Sequence, residues 1–405
     1  MSENSTEMSE GTKAASGEAG ATGTSGPAEP AGRRVLILTA AFGAGHVKAA
    51  EALKVALREL SPATEVVVVD FLRYFNRYVA RIAEEAYVTA ARRVPKAYEF
   101  LYEYEEQRPF TRLKRLQSSM GVVKLARLVD QVRPEVIVST HFFPAGAVWR
   151  LQVRLAKQGR HLPNAVVMTD YVPHPIWVFP AVDAFFVAHD AMRDYLLEMG
   201  ISPEKIQVTG IPIKGEFGLP HSRADLMKKH GLDPSLPMVL VLSGGRGVGP
   251  FPRIMEAMER VEAPVQLAVI AGRNASLETR LKKMAQQMQM PVTVLGYVEN
   301  VHEWMAMADL LISKAGGLTV SEAMAAGLPM LIVKPIPGQE VGNMEFLVER
   351  GVGRYIKEID ELTGMVESLL RAPETLKRMR AAAREIARPD AARQAAQVIL
   401  RLGNR

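Results

Sequence analysis

The sequence predicts an α/β protein made of two doubly wound halves, and two observations carry this prediction. Short apolar runs alternate with segments of helical periodicity along most of the chain. The runs are continuously apolar, which is typical of parallel strands that are covered on both faces. A segment rich in Pro and Gly interrupts the alternation at residues 211–222, and the pattern then restarts. We therefore expect two parallel sheets that face each other across a cleft.

Each half contributes its own set of predicted strands. In the first half they lie at residues 34–40, 65–70, 134–140, 164–170, 184–189 and 205–210, with a helix at 48–60. In the second half they lie at 237–245, 265–272, 292–297, 309–314 and 329–335, and residues 359–405 are predicted to be helical. The predicted domains are a disordered tail (1–32), an N-terminal domain (33–215), a C-terminal domain (216–385) and a final helix (386–405).

The composition of residues 1–32 sets them apart from the rest of the chain. They contain no Leu, Ile, Val or Phe, so they cannot offset the entropy lost on folding. They hold five Glu and one Lys, and because the chain carries +6 overall, the remainder carries +10. Such a charge favours phosphates, nucleic acid or an anionic membrane. No nucleic-acid-binding motif is present in the sequence, so we expect no nucleic-acid partner.

The residue content also indicates the cellular compartment of the protein. The chain has no Cys, which excludes disulfides and thiolate chemistry. It has no apolar run of the ~18–20 residues that a membrane span needs. The N-terminus lacks the basic start and apolar stretch of a signal peptide. These features predict a cytoplasmic protein.

The first glycine-rich loop, "AAFGAGHVKAA", lies between the first predicted strand and the helix after it. Gly43 and Gly45 allow close backbone approach at a site where helix N–H groups are unpaired. A dinucleotide fingerprint needs a third glycine at position 48, where Lys48 stands, so NAD is not favoured. His46 instead places an imidazole at the crevice. The alternative is a histidine that only caps the helix.

The segment "VMTDYVPHPIWV" follows a later strand of the same half. Asp170 ends the predicted strand, and His174 follows in a loop with two prolines. Both are expected at the carboxyl edge of the sheet, where Asp170 could orient a histidine. The alternative is a turn aspartate that only caps backbone groups.

Two further glycine-rich segments lie in the second half. In "LSGGRGVGPF", Gly244, Gly245, Gly247 and Gly249 follow a strand, with Arg246 to neutralise negative charge. This is not a P-loop, because no Gly-Lys-Ser/Thr ends it. The second of these segments, residues 313–343, contains polar side chains beside glycines: Lys314, Gly316, Gly317, Ser321, Glu322, Gln339, Glu340 and Asn343. Its carboxylates and amides suit ribose and sugar hydroxyls. No His, Asp or Glu set has metal-ligand spacing, so no metal is expected.

In six motifs, the chain resembles the diacylglycerol glycosyltransferases of the monogalactosyldiacylglycerol synthase and processive glucosyltransferase type. These belong to the GT-B superfamily with the lipid II-forming N-acetylglucosaminyltransferase. The motifs are "LTA…GxGH", "MTD…H…W", "TGIPI", "LGYV", "GG.T..EA…G.P" and "KP.PGQE..N". They stand at 38–46, 168–177, 209–213, 295–298, 316–329 and 334–343.

The resemblance implies a GT-B fold and an inverting, metal-independent hexosyltransferase with no cofactor. UDP-glucose or UDP-galactose would be the donor, and diacylglycerol the acceptor, bound by the N-terminal half. The implied donor-binding residues are Ser243, Gly244, Gly245, Arg246 and Gly247 at the diphosphate, Gly316, Gly317 and Thr319, Glu322 at the ribose, and Gln339, Glu340 and Asn343 at the hexose. Gly43 and Gly45 would form an acceptor-side loop. His46 is the first choice of base, with Asp170 or His174 as competing base or orienter.

A lipid acceptor further implies peripheral docking at the inner face of the cell membrane. The segment 71–120 holds ten of the chain's 26 aromatic residues and ten Arg or Lys, a composition typical of an interfacial surface. The alternative is that these aromatics are core residues. Two other functions stay open: a related transferase acting on a lipid-linked cell-wall intermediate or another acceptor, and a sugar-nucleotide binder without turnover.

Overall fold

The computed structural model describes residues 33–41, 44–76, 78, 121–242, 245, 247 and 249–403. From Arg33 onward the chain forms a single structural unit. The predicted tail, most of the aromatic segment, and the predicted site residues Gly43, Ser243, Gly244 and Arg246 lie outside the described residues.

Each half contains one parallel sheet. The first comprises β1 (Arg34–Thr39), β2 (Glu65–Asp70), β3 (Val136–Ser139), β4 (Asn164–Val167), β5 (Ala184–Val187) and β6 (Ile206–Val208), in the order β2-β1-β3-β4-β5-β6. The second comprises β7 (Met238–Leu242), β8 (Gln266–Ile270), β9 (Val292–Leu295), β10 (Leu310–Ser313), β11 (Met330–Val333) and β12 (Gly353–Ile356), in the order β12-β11-β10-β7-β8-β9. Each order changes direction beside its first strand, which opens a crevice at the carboxyl ends of the strands.

Helices connect the strands of both sheets. In the first half they are α1 (Ala44–Leu60), α2 (Phe71–Phe75), α3 (Val122–Val132), α4 (Phe142–Ala156) and α5 (Asp190–Glu198). They continue as α6 (Arg223–Lys229), α7 (Phe251–Glu259), α8 (Ala275–Ala285), α9 (Val301–Met307), α10 (Gly317–Ala325), α11 (Gln339–Glu349), α12 (Leu362–Leu370), α13 (Pro373–Ile386) and α14 (Ala391–Leu402). Short 3-10 helices lie at Pro175–Trp177, Pro203–Lys205, Gly215–Gly218 and Ile359–Glu361. No helix in the described part of the chain combines the length and apolarity that crossing a bilayer requires.

The boundaries of two predicted elements were wrong in ways that matter for the site. The strand predicted at 164–170 ends at Val167, so Thr169 and Asp170 belong to the loop that follows it. Helix α1 begins at Ala44 rather than at 48, so its first turn includes Gly45. His46 therefore stands inside the first turn of the helix. Strand β12 was not predicted, since only its two end residues are buried.

The final helix packs against the first half of the chain. Ala395 and Ile399 of α14 are fully buried beside Leu53 of α1 and Val35 of β1. The Arg33 guanidinium also donates a hydrogen bond to the Leu400 carbonyl at 2.6 Å. The chain thus returns from the second half to complete the core of the first.

Candidate active site

The carboxyl edges of the two sheets approach each other closely at Gly317, the first residue of α10. A Cβ atom at this position would overlap the Thr169 carbonyl and would lie 3.3 Å from the Cα atom of Asp170. A Cβ atom at Gly342 of α11 would similarly overlap the side chain of Val172. Glycine is therefore required at both positions for the loop after β4 to lie against the second half.

His46 lies between β3 and the loop after β4. Its Nδ1 atom is 3.0 Å from the Thr140 carbonyl oxygen and 2.8 Å from the Thr169 hydroxyl oxygen. A carbonyl oxygen can only accept, so Nδ1 carries the proton and Nε2 has a free lone pair. The Thr140 hydroxyl in turn donates to the His46 carbonyl at 3.0 Å, which fixes the start of α1 to the end of β3.

The electrostatics of His46 keep its ring neutral. Burial lowers the pKa of His46 to about 4, and the hydrogen bond to the Thr140 carbonyl opposes this only in part. Among the described residues, none forms a hydrogen bond with Nε2. The ring of His141 packs edge-on against it at 4.5 Å. Burial also lowers the pKa of His141, so both rings are neutral at pH 7. His46 can therefore accept a proton at Nε2.

Asp170 faces the second half. Burial raises the pKa of this carboxyl group to about 7. The charge of Glu340 adds to the shift, and a hydrogen bond with the Asn343 side chain reduces it. Asp170 is thus placed beside the loop predicted to hold the hexose, whereas the neighbouring Thr169 contacts His46.

His174 is fully buried at the start of the 3-10 helix Pro175–Trp177. Its Nδ1 atom accepts a hydrogen bond from the backbone N–H of Ile176 at 3.1 Å. This cap accounts for one ring nitrogen, and a catalytic role for His174 stays a prediction.

Glu322 lies in α10, the helix that Gly317 opens. Burial raises the pKa of its carboxyl group to about 8, opposed by the positive charges of Lys48 and Lys214. No described residue forms a hydrogen bond or ion pair with this carboxylate. A half-buried carboxyl group without a partner is costly to the fold, which is typical of a binding site.

Glu340 and Asn343 of α11 are both engaged within the protein. Glu340 accepts from the Lys314 ammonium at 3.2 Å and from the backbone N–H of Ile336 at 2.8 Å. Asn343 is fully buried; its Oδ1 atom accepts from the backbone N–H of Tyr171 at 2.7 Å, and its Nδ2 atom donates to the Ala315 carbonyl at 2.9 Å. Their predicted contacts with a hexose, like that of Gln339 at the start of the same helix, stay predictions.

The described parts of the two glycine-rich loops lie beside each other, since a Cβ atom at Gly245 would lie 3.2 Å from the Cβ atom of Ala44. Gly247 has φ +60°, and a Cβ atom there would overlap the Ala271 carbonyl. The Gly245 carbonyl accepts from the backbone N–H of Arg273 at 3.0 Å. A Cβ atom at Gly45 would lie 3.7 Å from the Cβ atom of Leu318, so the first turns of α1 and α10 face each other. Gly316 caps α10, and Thr319 lies half-buried in its first turn. The positive N-terminus of α10 is therefore presented to the crevice.

Two family descriptions match consecutive parts of the chain. Residues 46–213 match monogalactosyldiacylglycerol (MGDG) synthase, and residues 222–386 match glycosyl transferases group 1. The processive diacylglycerol beta-glucosyltransferase of Bacillus subtilis is 33% identical over 351 residues, which is 86% of this chain and 90% of that protein. The chain belongs to this family of diacylglycerol glycosyltransferases.

Solved structures place this diacylglycerol glycosyltransferase family member in the GT-B fold. MurG of Acinetobacter baumannii aligns with a TM-score of 0.58 at 17% identity, covering 91% of this chain and 99% of that one. Anabaena Alr3699/HepE in complex with UDP and glucose aligns with a TM-score of 0.53 at 16% identity, covering 92% of this chain and 100% of that one. The expected fold, two doubly wound halves of GT-B type, is confirmed.

Several residues of the candidate site were not predicted from the sequence. Thr140 and Thr169 bind His46, and Lys48 and Lys214 place positive charge near Glu322. Thr169 directly precedes Asp170, and this position beside a predicted site residue is the feature of the sequence that points to it. In the sequence, Lys48 stands out only as the residue at the position of a third glycine. Within the described residues, no group of three or more His, Cys, Asp or Glu side chains could hold a metal ion.

Proposed function

We propose that this protein transfers glucose from UDP-glucose to the hydroxyl group of diacylglycerol and so makes glycolipid. The name of the Bacillus subtilis relative, a processive diacylglycerol beta-glucosyltransferase, supports this proposal, because the similarity extends over most of both chains. The observation that carries it is that the first turn of α1, which holds the neutral His46, faces the first turn of α10, the helix that holds the unpartnered carboxyl group of Glu322. His46 offers a base for the acceptor, and Glu322 offers hydrogen-bond acceptors for the donor.

The donor would bind along α10. Glu322 would accept hydrogen bonds from two ribose hydroxyls, and the α10 N-terminus at Gly316 and Gly317 would face the diphosphate. The glycine loop with Gly245 and Gly247 would cover it. Helix dipoles and cations can stabilise departing UDP without a metal ion, so the proposed mechanism is metal-independent and has no cofactor.

The transfer would proceed by a single displacement with inversion at the anomeric carbon. The acceptor hydroxyl would give its proton to Nε2 of His46 as its oxygen bonds to the sugar. The bond between the sugar and UDP would break, and its electron pair would leave with UDP. Asp170 is the competing base, because burial brings its pKa to about 7.

The acceptor would be reached at the inner face of an anionic membrane. Tyr78 is 82% exposed and Tyr74 of α2 is 37% exposed, whereas Phe71 is fully buried. The part of the chain after residue 32 carries +10, which favours anionic lipid. We therefore place peripheral docking at the exposed aromatics of this segment.

The decisive experiment incubates the enzyme with UDP-glucose or UDP-galactose and diacylglycerol in anionic vesicles, with and without a metal chelator. We expect a glucolipid whose formation the chelator leaves unchanged. Faster transfer from UDP-galactose would correct the hexose. If only a lipid-linked cell-wall intermediate is glycosylated, the acceptor is wrong. Binding of UDP-glucose without any product would identify a sugar-nucleotide binder.

Two variants identify the base. His46→Ala should lower kcat by about 10²–10⁴-fold, the usual scale for a positioned base. The surface histidine His161, which pairs with Asp183, is the matched control, and His161→Ala should leave kcat unchanged. A base acts when it is deprotonated, so kcat/KM should fall below about pH 4 if His46 serves, or below about pH 7 if Asp170 serves.

A further inference from the structure

The contacts of His46 differ from the usual support of a catalytic histidine, and this difference bears on the function proposed above. A base of this kind is commonly oriented by a carboxylate at Nδ1. Here the two oxygen atoms at Nδ1 belong to the Thr140 carbonyl and the Thr169 hydroxyl, at 3.0 and 2.8 Å. Because Nδ1 carries the proton, both oxygens accept from it. No carboxylate among the described residues forms a hydrogen bond with His46.

Both oxygens belong to buried residues. Thr140 is fully buried and Thr169 is 4% exposed. The Thr140 hydroxyl is already used, because it donates to the His46 carbonyl. The Thr169 hydroxyl is therefore the one side-chain oxygen in the described residues that touches the ring. A proton arriving at Nε2 would make the ring positive, and the Thr169 oxygen would stabilise that charge at Nδ1.

Thr169 also lies where the first half contacts the second half, which would bind the UDP-sugar. Its carbonyl faces Gly317 at the start of α10, and Asp170, the next residue, hydrogen-bonds with Asn343 of α11. The same short segment thus touches the candidate base on one side and helices α10 and α11 on the other.

We propose that Thr169 is the positioning residue for His46, taking the place of a carboxylate and setting the ring against the donor half. Its hydroxyl stabilises the protonated ring in the transfer step, and its backbone fixes the distance to α10. Among the described residues, His141, directly before α4, is the titratable group whose ring contacts His46, and Asp170 directly follows Thr169 in the loop after β4. A charge on either would shift the titration of His46, so both stay intact in the test.

The test replaces the hydroxyl without changing the shape of the side chain. Thr169→Val should lower kcat about five- to tenfold, the scale of one lost hydrogen bond, with KM for UDP-glucose unchanged. Thr169→Ser should restore most of kcat. Thr209 is the matched control, because it is 5% exposed, follows β6 of the same sheet, and its hydroxyl donates to the carbonyl of the next residue, Gly210. Thr209→Val should keep the kcat of the unsubstituted enzyme.

A second readout does not depend on turnover. In ¹³C-histidine NMR, the His46 signal is identified by its loss in His46→Gln, and its pKa should be lower in Thr169→Val than in the unsubstituted protein. If Thr169→Val fails to fold by circular dichroism, the comparison of Thr169→Ala with Thr169→Ser replaces it. Unchanged kcat and unchanged titration would overturn the proposal. An unsubstituted protein without turnover would overturn the proposed function instead, while the titration would still decide the role of Thr169.

Discussion

The hydroxyl groups of Tyr171 and Ser321 lie 2.9 Å apart, although one follows a strand of the first sheet and the other lies in a helix of the second half. Ser321 donates to the Gly317 carbonyl at 2.9 Å, so its oxygen accepts from the Tyr171 hydroxyl. The backbone N–H of Tyr171 also donates to Asn343. These bonds tie the segment after Asp170 to both α10 and α11, so the arrangement of the candidate base against the second half depends on a few buried polar groups.

Removing the Tyr171 hydroxyl should weaken this tie. Tyr171→Phe leaves the ring packed against Phe346 but deletes the donor to Ser321. We expect a loss of about 0.5–1.5 kcal/mol in the free energy of unfolding, the net value of a typical hydrogen bond. Urea denaturation of Tyr171→Phe, Ser321→Ala and the double variant measures the coupling. Strictly additive losses would show that the two hydroxyls do not interact.

The close approach at Gly317 should be sensitive to a single methyl group. Gly317→Ala would push the Thr169 carbonyl away from α10, since no space exists for the Cβ atom. Displacing catalytic groups by about 1 Å can cost about 10²-fold in rate, so we expect a fall of that size in kcat. Gly364→Ala in α12 is the control, because a Cβ atom there meets nothing within 4 Å and should raise stability. Equal activities of the two variants would contradict this role.

The pattern of apolar runs was sufficient to predict the fold, because strands buried on both faces leave a continuous signal. Strands such as β1 and β7 are buried along almost their whole length and were predicted within a few residues. Strand β12 was missed because its two middle residues, Arg354 and Tyr355, are exposed at the edge of the sheet.

The site could be predicted only in part, for a related reason. Glycines at strand ends pointed to the crevice, and a histidine and carboxylates beside them pointed to chemistry. The partners of those groups come from distant parts of the chain: Thr169 is 123 residues from His46, and Tyr171 is 172 residues from Asn343. A single sequence does not specify such contacts. Lys48 and its charge near Glu322 depend in the same way on how the two halves meet.

The Glu322 carboxyl group should be stabilised in its protonated form by the fold. Its pKa is about 8 in the folded protein against an ordinary value of 4.5, so the folded state binds the proton more tightly between these values. Stability contributed by this group is then lost as pH rises from 4.5 to 8. Glu322→Gln removes the titration, so it should be more stable than the unsubstituted protein at pH 8 by about 1–3 kcal/mol and nearly equal at pH 4.5.

The same variant should lose affinity for UDP. Above pH 8, where the carboxyl group of the unsubstituted protein is ionised, a charged hydrogen bond contributes about 1.5–3 kcal/mol, so Kd should rise about tenfold or more by calorimetry. Glu59→Gln, at an exposed position of α1, is the control for both measurements. A variant that gains stability while keeping its UDP affinity would remove Glu322 from the donor site. One that loses both would show a structural role instead.

Membrane docking should depend on exposed aromatic residues near α2. Tyr74 and Tyr78 are 37% and 82% exposed, so replacing both with Ser removes exposed apolar surface. Circular dichroism should show that the double variant still folds. Burying apolar area contributes about 25 cal/mol per Å², so we expect about a tenfold or larger loss of binding to anionic vesicles in a sedimentation assay. Tyr355→Ser, at a residue 41% exposed on β12, is the control.

Salt separates the two contributions to that docking. Contacts of Lys and Arg with anionic lipid are screened over about 8–10 Å at ordinary ionic strength, whereas burial of aromatic rings is not. Vesicle binding of the unsubstituted protein should therefore fall as salt rises but persist at high salt. The Tyr74 and Tyr78 double variant should retain only the part that salt removes. If this variant sediments like the unsubstituted protein while Tyr355→Ser does not, the docking surface lies on the second half of the chain.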